Sequence, residues 1–425
     1  MSIPKKSILK THKQALTQWG LTDNPFEPTP SNPQRLIQLF HGRDQELEIT
    51  LPALYEGRNV ILRGAWGVGK TALIYVLLNR LATEVFEDLD ESILVLYLNG
   101  ASIDTAPEFY RMILLAVATE MSQAEGLDSA LQQQAQEITG NLTGIVAPQR
   151  NSIREGKVNL AFFSFGVRDN PAPSAVLPTA FTDPYPLLIN WLDQAQKQFS
   201  RVVIAIDDLD KKDTPVVQTI LEGSLSLFRS GERRAFLMTG RGFTDLQEAT
   251  FASLGIFAED ITMESMSPAD LRQIVINALN TVREDHRNDP HPFTEDVIDL
   301  ITTYAQGNPR QLNMICDKLL RLAASRQCEE IDRPTFDTLW PQVQTQVTQR
   351  ITPQLRKLLY VAYRTSGISE DITNTQLNQL NALTFSELIP RLQTLEQQGL
   401  LLRQEDEGGF RFLPSKLFLP EADAD

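Results

Sequence analysis

The sequence predicts an α/β protein built on a parallel sheet, and three observations carry that prediction. Short apolar runs recur along the first two-thirds of the chain: NVILRG (59–64), SILVLYLNG (92–100), RVVIAIDDLD (201–210), RRAFLMTGR (233–241) and a weaker DITMESM (260–266). These runs are rich in Val, Ile and Leu without strict alternation, which is the pattern of strands covered on both faces. Stretches with helical spacing, such as LLINWLDQAQKQF (187–199), lie between them. Strand and helix therefore alternate as crossover connections between parallel strands require.

At 425 residues the chain is long for one domain, and about two to four are expected. Residues 1–45 read as an irregular N-terminal segment, punctuated by the prolines of DNPFEPTPSNP. The basic start MSIPKKSILKTHK reads as a solvated tail. Residues 46–266 hold the alternating core. Within it an insert at about 140–186 stands out. KVNLAFFSFGV (157–167) alternates like a hairpin, and five prolines follow in DNPAPSAVLPTAFTDPYP. The expectation is a surface hairpin with an extended linker. Its Phe162, Phe163 and Phe165 would be a partner site or would pack on the domain's own surface.

From 267 to 345 the pattern is wholly helical, and Ser267 is placed to cap the first helix of SPADLRQIVINAL. Residues 346–425 change again: amphipathic helices precede LLLRQEDEGGFRFLP, which reads as two strands around an acidic turn. In the helix candidate at 385–403, Leu388, Leu392 and Leu395 recur at core spacing. Helices followed by such a hairpin resemble a winged helix.

Composition excludes several functions. A hydrophobic content of 42% supports real cores, and a net charge of −15 argues against a surface coated for nucleic acid. It leaves room for a local basic patch. Only Cys316 and Cys328 occur, and the four histidines are scattered, so neither a disulfide framework nor a zinc pattern is implied. No apolar run approaches the ~18 residues of a membrane span, and the start lacks the apolar centre of a signal peptide. A cytoplasmic protein with no membrane partner is expected.

The chemistry is concentrated in Gly64-Ala65-Trp66-Gly67-Val68-Gly69-Lys70-Thr71, with Ala72 continuing into a helical run. A glycine-rich turn between an apolar strand and a helix lets successive backbone N–H groups turn inward around a phosphate, where the helix N-terminus adds favourable field. Lys70 would reach the β- and γ-phosphates and the Thr71 hydroxyl would coordinate magnesium. The implied cofactors are ATP and Mg2+. Independent support lies about 130 residues downstream, where Val202–Ile206 is followed by Asp207 and Asp208. Carboxylates at the carboxyl end of a buried parallel strand lie at the ligand edge of such sheets. Asp207 would hold the magnesium shell, and Asp208 would orient or deprotonate water.

These residues, with FHGRDQELEITL (40–51), FLMTGR (236–241) and GNPRQL (307–312), resemble the signal-transduction ATPases with numerous domains (STAND) and neighbouring AAA+ groups, the initiator-type and transposition-helper ATPases. The resemblance spans about 270 residues. It implies a P-loop NTPase with a parallel five-stranded core, an all-α lid over the nucleotide and a C-terminal winged-helix domain. It places His41, Gly42 and Arg43 near the adenine, and makes Thr239 or Arg241 the sensor of the γ-phosphate. Arg310 would reach in from the lid, and Arg233 and Arg234 are candidates for a finger acting on a neighbouring subunit. The second acid is Asp208 where vigorous AAA+ motors carry a longer Glu, so hydrolysis should be slow. FLMTGR points to STAND proteins and GNPRQL to initiators.

The expected function is an ATP-hydrolysing switch that couples nucleotide state to homo-oligomerisation or partner-protein binding. The alternative is an initiator- or transposition-type ATPase that clamps duplex DNA through the winged helix. Residues 346–425 carry eight Lys and Arg against ten Asp and Glu, and the wing carries Glu405-Asp406-Glu407. An acidic wing is repelled by phosphates, so a protein-contact or autoinhibitory module stands beside a DNA binder as a reading of the winged helix.

Overall fold

In a computed structural model of the chain, the described residues are 5–27, 33–101, 103–124, 127–143, 146–155, 158–167, 183–209, 214–229, 233–239, 255–283, 285, 287–349, 351–406 and 409–417. They divide into two compact units. One comprises residues 43–64 and 70–263; the other comprises 1–42, 65–69 and 264–425.

The first unit holds a sheet of seven strands: β1 (Val60–Arg63), β2 (Ile93–Asn99), β3 (Val146–Glu155), β4 (Val158–Val167), β5 (Arg201–Asp207), β6 (Arg234–Thr239) and β7 (Glu259–Thr262), ordered β3-β4-β2-β5-β6-β1-β7. The five apolar runs read from the sequence are the parallel strands β2-β5-β6-β1-β7. Their middle residues are buried because helices cover the sheet. The helix Ala106–Gln123 is inside along most of its length, with Ile113 to Ala118 fully buried. Its entry is fixed by a capping box in which the Thr105 side chain accepts from Glu108 N and Glu108 accepts from Thr105 N.

The insert departs from expectation. KVNLAFFSFGV supplies a single strand, β4, which pairs parallel to β2 through Leu96↔Ala161 and Leu98↔Phe163. Its hairpin partner is β3, from the preceding VAPQRNSIRE, which pairs antiparallel on the outer side. The insert therefore extends the sheet instead of lying on its surface. The unpaired ladder of β2 is the physical reason: backbone donors and acceptors at a sheet edge recruit a further strand. The side chains of Phe162, Phe163 and Phe165, and the proline-rich 168–182, lie outside the described residues.

The second unit is helical. Pro268–Asn280 starts at Ser267, whose side chain accepts from Asp270 N as expected of a cap. Glu295–Ala305, Pro309–Ser325 and Arg333–Thr348 follow. The N-terminal segment also differs from the irregular reading, because Lys5–Gln18 is a helix. Ala15, Leu16, Trp19, Leu21 and Phe26 are buried in the core of the same helices. The Trp19 indole N–H donates to the Glu329 carbonyl at 2.8 Å, and Leu21 bridges Arg283. The prolines that suggested an irregular segment all follow this helix.

The C-terminal region runs through helices Pro353–Arg364, Asn374–Gln379 and Phe385–Gln397 and then the antiparallel pair β8 (Leu401–Asp406) and β9 (Gly409–Pro414). Ile368, between the first two helices, bridges Phe412 of β9. Leu388, Leu392 and Leu395 are fully buried, as their spacing predicts. Just past β9, Leu417 enters the core formed by the lid helices. Among the described residues, no helix is long and apolar enough to cross a membrane.

Candidate nucleotide site

The glycine-rich turn joins β1 to the helix Lys70–Leu89. Gly64, Gly67 and Gly69 take φ values of 142°, 81° and 105°, which side chains oppose. At Gly67 a Cβ would stand 2.4 Å from the Asn308 Oδ1 and 2.9 Å from the Arg310 Cβ, so glycine is required there by space as well as by conformation. The Lys70 ammonium donates to the Gly64 carbonyl at 2.7 Å. This bond folds the cation back onto the residue that opens the glycine-rich turn. In the same stretch Ala65 is exposed, Val68 is buried, and Trp66, Thr71 and Ala72 are half-buried.

The two acids sit at the tip of β5. Asp207 is 2% exposed, and its carboxylate accepts four donors. Thr71 Oγ1 donates to Oδ2 at 2.6 Å and the Tyr97 hydroxyl donates to the same oxygen at 3.1 Å. Thr239 Oγ1 and the Asp208 N–H donate to Oδ1. A buried carboxylate satisfied on both oxygens holds its charge and orientation without solvent. Asp208 has a left-handed backbone, φ 61°, and its Oδ2 accepts from Asn99 Nδ2 at 2.8 Å. The turn after β2 is locked to this tip, with Gly100 N donating to the Asp207 carbonyl at 2.7 Å.

Thr71 and Asp207 are a donor set that fits magnesium, which takes one or two protein ligands and otherwise keeps water and phosphate oxygens. With its proton directed at Asp207, the Thr71 oxygen keeps lone pairs for a cation. Among the described residues there is no cluster of three or more His, Cys, Asp and Glu that would hold a metal by itself.

In the helical unit, Asn308 joins the loop tip to the lid. Its Oδ1 caps the helix Pro309–Ser325 by accepting from Arg310 N and Gln311 N, while its Nδ2 donates to the Trp66 carbonyl at 2.6 Å. Arg310 N donates to the Gly67 carbonyl at 3.4 Å, and the Arg310 guanidinium lies 5.7 Å from the Trp66 ring centroid. Arg310 is therefore at the glycine loop. On the other side of the same turn, Gln306 Oε1 accepts from Lys416 N at 3.2 Å and Gln311 Nε2 donates to the Gly399 carbonyl at 3.3 Å.

Other expected residues are placed differently. Arg43 is buried and donates to Glu46 Oε1 at 2.9 Å within the first turn of the helix Asp44–Tyr55. His41 lies 3.5 Å from Asp270 in the helical unit. Arg234 is buried and donates to the Leu227 carbonyl. It starts β6, at the edge of the sheet opposite Asp207, and its guanidinium is engaged within its own unit. Arg233 is exposed at that same far edge. Arg241 lies outside the described residues.

Sequence reasoning did not single out Tyr97, Asn99 or Asn308. Asn308 carried a usable signal, since Asn directly before Pro is a helix-start pattern. Asn99 and Tyr97 sit in LYLNG, where they read only as the end of a strand.

Residues 39–238 match the family model for the AAA ATPase domain. No curated protein sequence matches the chain. Among solved structures, the Aeropyrum pernix ORC1 protein in complex with DNA is 15% identical, with 90% of this chain and 92% of that chain covered at a TM-score of 0.51. The Aeropyrum pernix ORC2 protein is 12% identical, with 89% and 91% covered and a TM-score of 0.48. Thermotoga maritima RuvB, a Holliday junction branch migration motor, is 13% identical, with 92% and 96% covered and a TM-score of 0.45. Identities this low speak to fold alone, and the first of these matches shares its fold with this chain over nearly the whole length.

Proposed function

From the premise that this chain carries an AAA ATPase domain and hydrolyses ATP, we propose that it is a magnesium-dependent, DNA-associated switch of the initiator type. The observation that carries the proposal is the likeness to the ORC1 protein solved with DNA, which covers 90% of this chain and so takes in at least part of the C-terminal module. That module has the order helix, short bridge, helix, helix, hairpin, which supports a winged-helix reading.

The roles follow from the site. Loop N–H groups and Lys70 would hold the β- and γ-phosphates, and Thr71 and Asp207 would hold magnesium, which neutralises phosphate charge in transfer. Asp208 would orient or deprotonate the attacking water. Its bond to Asn99 occupies one carboxylate oxygen, and its side chain is one methylene shorter than Glu; both features support slow turnover. Arg310 would report the γ-phosphate to the lid turn, and that turn holds the C-terminal module through Lys416 and Gly399. Two free cysteines, Cys316 and Cys328, fit a reducing cytoplasm.

A second reading has one specific observation in its favour. Residues 346–425 carry eight basic against ten acidic side chains, which suits a partner protein or a second copy better than a polyanion. The STAND relationship behind this reading rests partly on FLMTGR, whose last two residues lie outside the described ones. Duplex DNA decides between the two. The proposed function expects ATP turnover to rise at least threefold on adding duplex DNA, with a weak salt dependence because few phosphates are neutralised. Nucleotide-driven assembly with no response to DNA overturns it in favour of the second reading.

A further inference from the structure

Tyr97 has no part in the roles assigned so far, yet it touches the central carboxylate. It stands opposite Ala205 of β5, so its side chain leaves the sheet on the face shared by Ala205 and Asp207. Ala205 is small enough for the phenol to run along that face to the tip of the strand. There the Tyr97 hydroxyl reaches Asp207 Oδ2 at 3.1 Å, the oxygen that also accepts from Thr71 at 2.6 Å. The Tyr75 ring packs 4.8 Å from the Tyr97 ring. A carboxylate oxygen can only accept, so the Tyr97 hydroxyl is the donor in its bond to Asp207.

We propose that Tyr97 is a positioning residue for the metal that accompanies the nucleotide: it fixes Asp207 Oδ2 as the acceptor of the Thr71 proton, which turns the Thr71 lone pairs towards the cation. Thr239 and the Asp208 N–H already fix Oδ1. A donor on Oδ2 that is independent of Thr71 fixes the plane of the carboxylate, and Tyr97 is placed to be that donor. The inference rests on the reading of Thr71 and Asp207 as the metal-holding pair. Tyr97 is 6% exposed and acts through Asp207.

The test uses the full chain and a fluorescent ADP analogue, titrated in EDTA and then against Mg2+. For Tyr97→Phe, affinity in EDTA stays within about twofold of wild type, while the Mg2+ midpoint rises about tenfold, the size expected when the hydrogen bond that orients a metal ligand is lost. Tyr75→Phe keeps the Tyr97–Asp207 bond and leaves the midpoint within about twofold of wild type. Asp207→Asn checks the premise and must move the midpoint at least as far as Tyr97→Phe. If Asp207→Asn leaves the midpoint in place, the metal-pair reading itself falls. If Asp207→Asn moves it and Tyr97→Phe does not, only the role of Tyr97 is overturned. Equal losses in EDTA and in Mg2+ for Tyr97→Phe also overturn that role, because a packing defect acts on both. Should Tyr97→Phe not fold, carbon-13 NMR of tyrosine Cζ in the wild-type protein decides. Adding Mg2+ to the ADP-bound protein must shift a buried tyrosine resonance other than the one lost in Tyr75→Phe, and no such shift overturns the proposal.

Discussion

The tip of β5 and the turn at 306–311 are each held in place, by opposite means. At the strand tip, Asp207 takes four hydrogen bonds while fully enclosed, and every donor comes from a sheet strand, the residue that follows β5 or the helix after the loop. At the turn, the contacts with the glycine loop include a 2.6 Å hydrogen bond from Asn308 Nδ2, a 3.4 Å bond from Arg310 N and a ring contact at 5.7 Å. The first arrangement has no freedom to move without leaving a buried charge unsatisfied, which costs several kcal/mol. The second is held by contacts worth about 1 kcal/mol each and can exchange between states. The strand tip is therefore fixed by the sheet, and the turn grips the glycine loop as a looser clasp.

Breaking the rigid side should give the largest effects. Lys70→Ala removes the loop's fixed cation, and ATP affinity should fall on the order of a hundredfold, as expected for losing charge-assisted bonds to phosphate. Calorimetry showing near-normal ATP affinity in this variant would remove the basis of the site. Next in size, Asp208→Asn should keep Mg-ATP affinity within about threefold and slow turnover about a hundredfold, the scale of a lost proton acceptor. Asp207→Asn should act on Mg2+-dependent binding first. Single-turnover hydrolysis measured beside binding separates the two, and identical profiles would show that the strand tip is a single unit with no division of labour.

The clasp should give smaller and more selective effects. Arg310→Ala should leave ATP bound while flattening the difference between the ATP and ADP states, since a ligand shifts an equilibrium only through contacts that differ between states. A charged hydrogen bond of ~1.5–3 kcal/mol is enough to shift a balanced equilibrium about ten- to a hundredfold. Hydrogen exchange at the Lys416 amide, compared in ATP and ADP, reads this out. If wild type and Arg310→Ala show the same nucleotide dependence, Arg310 only supports the loop.

The contrast also explains what the sequence showed and what it hid. GAWGVGKT was legible because its chemistry is local: glycines, Lys70 and Thr71 act within eight consecutive positions. The five core strands were legible from their apolar runs, and Leu388, Leu392 and Leu395 from their spacing. β3 was not, because VAPQRNSIRE carries no apolar signature and is a strand only through its pairing with β4. The helix Lys5–Gln18 was missed because its buried Leu16 and Trp19 are balanced by a charged start and overshadowed by the prolines after it. Asn308 reads as a cap from sequence, but its second bond reaches Trp66, 242 positions away. Tyr97 and Asp207 are 110 positions apart, and only the register of β2 on β5 brings them together. Contacts of that range leave no mark on a single sequence.

The smallest effect is expected on the far side of the clasp, and it tests whether the turn transmits anything. Gln306 has a left-handed backbone, φ 50°, and its side-chain oxygen accepts from Lys416 N at 3.2 Å, one residue before the buried Leu417. Gln306→Ala removes a single neutral hydrogen bond worth ~1 kcal/mol, so exchange at the Lys416 amide should quicken about fivefold. Gln306 has no described bond to the glycine loop, so ATP and ADP affinities should change only through coupling. Coupling is reciprocal: if ATP tightens the hold on the C-terminal module, loosening that hold must weaken ATP by the same factor and leave ADP unchanged. A selective loss of ATP affinity of about twofold would place Gln306 in the transmission path. Faster exchange with both affinities unchanged would confine it to anchoring the module, and unchanged exchange would show that Leu417, not Gln306, holds the C-terminal strand in place.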